Sequence, residues 1–294
     1  MPQVSPSMPH GEVKMKLDID WSIKEPEKFD LDKFRRYLRY HGYRQSTIDS
    51  YLVCIAKYLQ SKKSVQEFLD DLHSRKLAGS TIDNYITSIK KYHDMLGQDI
   101  SIPYLKRSEG IPHYFDEEDV IKIFCVIHNI KHLAMLNVLF FGCLRASELT
   151  NLDDEDIDLG SMTLRIRDGK CGHAGVVPLS NECITVLKDY LKVRPLLEIE
   201  GRKPLFYTDH GKRWDRKDLY RMFIIYKNKS NIQKTGGLHV FSRHTPATLM
   251  IANGCDIRIV KEILRHRDIR TTLRYAHVAD KTLRERYNQC LTLG

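Results

Sequence analysis

The chain has 294 residues, enough for two domains with cores of their own. Lys and Arg total 47 against 38 Asp and Glu, a formal net charge of +9 that favours a polyanion such as nucleic acid through counterion release, without establishing sequence specificity. Seven scattered cysteines without C-x-x-C spacing argue against a disulfide framework or zinc site, Leu133 to Leu144 is too short an apolar stretch to span a membrane, and no leader-like apolar core opens the chain, so a soluble cytoplasmic protein is expected.

Residues 1 to 28 mix Pro, Met and acidic groups without periodicity and read as a loosely docked tail. Residues 29 to 97 read as a helical domain. Phe34, Tyr37 and Leu38 begin one apolar stripe; Ile48, Tyr51, Leu52 and Ile55 form a second, and Ile82, Tyr85, Ile86 and Ile89 a third. The run Ser46-Thr47-Ile48-Asp49-Ser50-Tyr51 recurs 34 positions later as Ser80-Thr81-Ile82-Asp83-Asn84-Tyr85. In each copy a serine followed three residues on by aspartate resembles a capping box and predicts a helix start there. Two copies are too few for a solenoid, so they read as two similar helices of one bundle. Arg44, Lys57, Lys62, Lys63, Lys90 and Lys91 are available for phosphate contacts, or form an ordinary solvated face. Residues 98 to 112, with Pro103, Gly110 and Pro112, read as a linker.

Residues 113 to 280 read as the second domain. Asp116 to Asp119 favour a helix N-terminus, with Val120 to Ile130 carrying its apolar face. A buried helix from Lys131 to Leu144 delivers Arg145 to the surface. Met162, Leu164 and Ile166 alternate with Thr163, Arg165 and Arg167, a strand pattern that pairs with Val176 to Leu179 in a hairpin whose tip carries Lys170. Leu205 to Tyr207 read as a further short strand, and Asp215 to Tyr226 as a basic helix whose Arg216 and Lys217 suit phosphate. A helix begun at His239 would place Pro246 in its interior, so a later start is expected, with Ser242 or Thr245 as N-cap and His239 on the approach. Residues 281 to 294 read as a tail or short helix.

Along this second domain lie Arg145, Lys170, His239, Arg243 and His266, leading up to Tyr275. Those types suit attack by a phenol on a phosphodiester. A tyrosine titrates near pKa ~10 in water, so it needs a neighbouring base or surrounding positive charge, which Arg145, Arg243 and His266 are expected to supply. Guanidinium forks match two non-bridging phosphate oxygens, and a lysine on a hairpin can protonate a basic leaving oxygen.

Over residues 29 to 280 the chain resembles the tyrosine recombinases, the family of phage-type integrases and Xer-type recombinases. The likeness rests on the box Gly142 to Leu149 with Arg145 and its supporting Glu148, on the hairpin around Lys170, and on Glu262 to Val278, where His266 stands nine residues before Tyr275 and His277 follows. The middle box departs from the family's pattern, for three residues rather than two separate His239 from Arg243. Arg265 stands where the family often has glycine, either as a phosphate contact or solvated. His244 is expected to pack or hydrogen-bond behind the site.

The resemblance implies a mainly α fold with a small antiparallel sheet, made of a helical, SAM-like core-binding domain and a catalytic domain that clasp DNA between them. It implies a 3′-phosphotyrosine on Tyr275, a free 5′-hydroxyl, and strand exchange through a four-way junction in a homotetramer on double-stranded DNA with an inverted-repeat core site. No metal or cofactor is implied, the free protein is expected to be a monomer or dimer near the nucleoid, and accessory proteins stay open. In the implied scheme Arg145 and Arg243 clamp the phosphate, His239 and His266 support proton transfer, Lys170 protonates the leaving oxygen, and Glu148 and His277 assist. Two other readings remain: a type IB topoisomerase-like relaxing enzyme, and a DNA-binding regulator of recombinase ancestry that no longer cuts, to which the unusual middle box lends weight.

Overall fold

Apolar stripes at helical spacing in the first third of the chain fold into four helices: α1 (Leu31–Tyr40), α2 (Gln45–Gln60), α3 (Val65–Ser74) and α4 (Gly79–Met95). The computed structural model describes residues 31–105, 112–167 and 174–276, with Tyr287 and Leu291. The expected tail 1–28, the middle of the linker, the hairpin tip with Lys170, His277 and nearly all of 281–294 lie outside the described residues. The chain divides into two compact units between residues 108 and 109.

In the first unit, Phe34, Leu38, Ile48, Ile55, Ile82 and Ile89 are buried in one core. The two sequence copies face each other there, for Asn84 donates a 3.0 Å hydrogen bond to its counterpart Ser50. Neither copy forms the expected capping box. Helix α2 starts at Gln45 and α4 at Gly79, one residue before each serine, because the extended Arg44 and Ala78 offer their carbonyls to the first turn. A true capping box appears instead at α3, where Ser64 and Glu67 satisfy each other's main-chain N–H groups.

The second unit begins with α5 (Glu117–Cys125), capped reciprocally by Asp116 and Asp119, and ends earlier than the stretch to Ile130 suggested. The largely buried α6 (Ile130–Phe141) follows and packs on α8 (Asn181–Val193), which the sequence reading did not identify. Asn137 is tolerated inside because its amide donates to the Leu133 carbonyl at 2.9 Å. Helix α6 stops at Gly142 and Cys143; a Cβ on Gly142 would lie 2.7 Å from the Val138 carbonyl oxygen, and Cys143 takes the left-handed turn at φ 48°.

After the short α7 (Ala146–Thr150), three antiparallel strands run in the order β1 (Ile157–Asp158), β2 (Thr163–Ile166), β3 (Gly175–Pro178). Leu164 pairs with Val177, and both are buried, as period-2 alternation requires. Met162 is no part of the strand: it sits at φ 54° in the preceding turn, 38 % exposed. Leu205 to Tyr207 is not a strand either. Leu205 and Phe206 are buried, but only isolated bridges at Pro204 and Tyr207 flank them. Helix α9 (Arg216–Lys229) starts at its Asp215 cap.

The root of the β2–β3 hairpin is tied down by charge. Asp153, 2 % exposed, accepts from Arg167 at the end of β2 and from Arg213, while Asp156 accepts from Arg167 at 2.6 Å. Removing the central carboxylate leaves the partly buried Arg213 without its carboxylate and Arg167 with only Asp156 and Glu155. Asp153→Ala is therefore expected to lower unfolding stability by roughly 3 kcal/mol in urea titration, whereas a change below about 1 kcal/mol would mean that solvent already screens the cluster.

Candidate active site

The segment around His239 folds against expectation. Residues Val240–His244 form a π-helical turn that runs into α10 (Thr245–Ala252), and His239 itself is helical at φ −67°, ψ −35°. The Thr245 N–H reaches the Val240 carbonyl, five residues back. Neither Ser242 nor Thr245 is an N-cap; the Thr245 hydroxyl instead accepts from the Phe115 N–H at 3.0 Å. One extra residue is thus absorbed by widening a single turn, and Pro246 falls in the first turn of α10, where a missing N–H costs least. In such a turn residues five apart align, and the rings of His239 and His244 lie 4.9 Å apart, edge to face.

Arg145 is the N-cap residue of α7. Its main-chain N–H donates to Glu148 Oε2 at 2.8 Å and its guanidinium to Oε1 at 2.6 Å. Glu148 therefore fixes Arg145 by both main chain and side chain. Burial alone would push the Glu148 pKa up, but Arg265 and Arg145 outweigh it and hold the carboxyl below its ordinary value.

Arg265, which also lines the cleft, is not solvated. It caps α11 (Ile257–Leu264) in the left-handed region at φ 54°, and its guanidinium, with the side chain 4 % exposed, donates to Glu148 Oε2 at 2.7 Å. Gly175 in β3 makes the room, since a Cβ there would lie 3.0 Å from Arg265 Cδ. One carboxylate thus holds two arginines.

Arg243, 2 % exposed, has no carboxylate partner of its own among its described hydrogen bonds. It donates to the carbonyls of Cys143 and Leu264, both at 2.6 Å, and to His266 Nε2 at 3.1 Å. Burial first, then Arg145 and Arg265, bring its pKa down to about 10, so it stays a cation at neutral pH. Because His266 Nε2 accepts from Arg243, Nδ1 carries the hydrogen and donates to Thr272 Oγ1 at 2.9 Å. Burial, followed by Arg243, Arg145 and Arg265, pushes the His266 pKa down to about 4. His266 is neutral at pH 7 and does not supply the positive charge expected of it.

Tyr275 follows α12 (Arg270–Leu273) and is 3 % exposed, its ring in a small apolar cluster with Cys143, Ala247, Ile251, Val260 and Leu264. Its hydroxyl shares a 2.8 Å hydrogen bond with His244 Nδ1. Burial raises the phenol pKa, and Arg243 and Arg274 only partly offset this. In the free protein, then, surrounding charge does not activate the phenol. Arg145, His239, Arg243, His266 and Tyr275 nonetheless open onto one cleft. Lys170 and His277 lie outside the described residues. His244, expected to pack or hydrogen-bond behind the site, bonds to Tyr275, while the link from Arg265 to Glu148 was not foreseen.

Of the basic residues noted for phosphate contact, Arg44, Lys57 and Lys62 are exposed in the first unit, as are Arg216 and Lys217 at the start of α9. Lys63 pairs with Asp71 at 3.3 Å, Lys91 with Asp94 at 2.8 Å, and Lys90 Nζ lies 4.6 Å from the Tyr104 ring centre. Among the described residues no group of three or more His, Cys, Asp and Glu could hold a metal ion, and no helix is long and apolar enough to cross a membrane.

The sequence pattern of the phage integrase family matches residues 113–282. A tyrosine recombinase XerA from Pyrococcus horikoshii is 30 % identical over 266 residues, covering 87 % of this chain and 91 % of the relative. A tyrosine recombinase XerD from Staphylococcus saprophyticus is 28 % identical, over 92 % of this chain and 98 % of its own. The crystal structure of a XerA recombinase superposes with a TM-score of 0.56 at 27 % identity, covering 90 % of this chain and 98 % of that one.

The two depressed histidines make stability depend on pH. Their folded-state pKa of about 4 lies below the unfolded value of ~6.5, so as pH falls the unfolded chain takes up protons first. Stability that is complete above about pH 6.5 is then lost down to about pH 4, by up to about 3 kcal/mol per histidine. Urea unfolding through this window measures the loss, and a flat profile would contradict the neutral, buried assignment of His244 and His266.

Proposed function

Because the chain belongs to the phage integrase family, we propose that it is a site-specific DNA recombinase in which Tyr275 is the nucleophile. Tyr275 Oη bonds to the scissile phosphorus as the bond to the 5′-oxygen breaks, leaving a 3′-phosphotyrosine, and Lys170 supplies the proton that the 5′-oxygen takes up. Arg145 and Arg243 bind the non-bridging oxygens, whose charge grows in the transition state. Glu148 holds Arg145 for that task. His266 acts as a neutral hydrogen-bonding partner that orients Arg243, and His239, exposed at the cleft, reaches the phosphate. His277 follows the nucleophile and assists.

The observation that carries this reading is the single cleft shared by Arg145, His239, Arg243, His266 and Tyr275. The non-cutting alternative rested on the long middle box, and the π turn removes that ground, since both His239 and Arg243 still line the cleft. Names also bear on the choice: a relaxing enzyme is not among the relatives described above, which are recombinases. We assign the first unit to the core-binding role, with Arg44, Lys57 and Lys62 on phosphate, and Arg216 and Lys217 to the catalytic domain's own DNA contact. Rejoining of exchanged strands through a four-way junction requires four active sites, hence a homotetramer on an inverted-repeat duplex.

Covalent capture tests the proposal. Wild type and Tyr275→Phe are incubated with fragmented genomic DNA in EDTA, denatured, and the DNA that stays attached to protein is sequenced. Adducts at a discrete inverted repeat with wild type, and none with the variant although it still binds DNA, are expected. Salt-sensitive binding by wild type without any adduct would overturn the enzymatic reading.

A further inference from the structure

Cleavage by Tyr275 needs an acceptor for the phenol proton, and support for proton transfer was expected of His239 and His266. Of the groups around the cleft, His244 touches the reacting oxygen: its Nδ1 lies 2.8 Å from Tyr275 Oη, with the ring centres 5.7 Å apart. His266 is less suited, because its Nε2 already accepts from Arg243 and its Nδ1 is engaged with Thr272.

We propose that His244 is the general base of the cleavage step, a role that rests on Tyr275 being the nucleophile. As Oη bonds to phosphorus, the phenol proton passes to Nδ1; the bond to the 5′-oxygen breaks and that oxygen takes its proton from the general acid. On rejoining, the 5′-hydroxyl attacks and gives up its proton, the Oη–phosphorus bond breaks, and Nδ1–H returns the proton to Oη. Atoms and protons balance over the two steps.

The geometry fits this direction of transfer. An unprotonated Nδ1 must accept from the phenol, which leaves the hydrogen of the neutral ring on Nε2. The groups facing His244 are His239 and Arg243 from its own helical run, Arg274 and Tyr275 from the segment after α12, and His266 beyond them; the charged ones among them are cations. Burial first, then His239, Arg274 and Arg243, push the His244 pKa down to about 4, so in the free protein the proton stays on the phenol. A phosphodiester entering the cleft adds the missing negative charge, counteracts the field of Arg243 and Arg274, and raises the basicity of His244 at the moment it is needed. Tyrosine activation is thereby coupled to occupancy by substrate.

The π turn ends at the residue that makes the contact. In a regular helix the side chains of His239 and Arg243 would share one face; widened by one residue, the turn aligns His239 with His244 instead and leaves His244 against the nucleophile.

The test compares wild type with His244→Asn, which keeps an oxygen acceptor near the position of Nδ1 but cannot take a proton. Single-turnover adduct formation is followed from about pH 5 to about pH 9 on the captured duplex, and on the same duplex with a 5′-bridging phosphorothiolate, whose thiolate leaves without a proton. The variant is expected to be slower by about 10²–10⁴-fold on both substrates, to lack the low-pH ionisation of wild type, and to recover part of its rate as hydroxide replaces the lost base. An unchanged rate and pH profile would overturn the proposal, as would a deficit that vanishes with the sulfur leaving group, because that places His244 on the leaving-group side. Should the variant fail to fold, the nitrogen shifts of His244 in free wild type decide: the Nε2–H tautomer is required, and Nδ1–H excludes the role. Absence of adducts with wild type is a separate failure, which sinks the recombinase reading and this role with it.

Discussion

The Arg243 guanidinium is held by the carbonyl oxygens of Cys143 and Leu264, both at 2.6 Å, and by no carboxylate among its described hydrogen bonds, so its charge is oriented without being neutralised. Keeping such a cation 2 % exposed costs several kcal/mol unless something compensates it. The nearest compensation, Glu148, is already shared by Arg145 and Arg265. Three guanidinium groups therefore draw on one carboxylate, and the carboxylate on the cleft wall, Asp268, is paired with Arg270 at 2.6 Å. Burial first, and then the neighbouring cations, keep His266 and His244 neutral at pH 7. In the proposed reaction a phosphodiester supplies the negative charge that would balance these guanidinium groups.

The fold serves that imbalance by converging several chain ends on one point. The end of α6 gives the Cys143 carbonyl and Arg145, the end of α11 gives the Leu264 carbonyl, Arg265 and His266, and the π turn gives Arg243 and His244. Cys143 and Arg265 both sit in the left-handed region, at φ 48° and 54°. Non-glycine residues there cost energy that packing must offset, and at both positions the main chain or side chain engages the arginines. Gly175 extends the network to β3, linking the root of the hairpin to Arg265.

Much of this was legible in the sequence. Helical stripes marked α2 and α4, alternation marked β2 and β3, and the order of Arg145, His239, Arg243, His266 and Tyr275 named the residues that share the cleft. What failed did so for local reasons. Leu205 to Tyr207 have strand composition but only isolated bridges flank them, and Ser46 and Ser80 sit one place inside their helices. His239, Arg243 and Pro246 were read with a period of 3.6, which left no way to see a π turn. His244 was expected to pack or hydrogen-bond behind the site, and its partner there is the phenol of Tyr275. Arg265 was judged by what usually stands there, while its partner Glu148 is far away in sequence and its room depends on Gly175 in another strand.

The claim on which the rest stands is that the cleft holds uncompensated positive charge and is completed by a tetrahedral oxyanion. Nuclear magnetic resonance titration of the ring of His266, in chloride and then in sulfate at equal ionic strength, measures that charge where it acts. A pKa near 4 in chloride that rises by about one unit or more in sulfate is the predicted result. The same pKa in both salts, or an ordinary histidine value in chloride, would contradict the account.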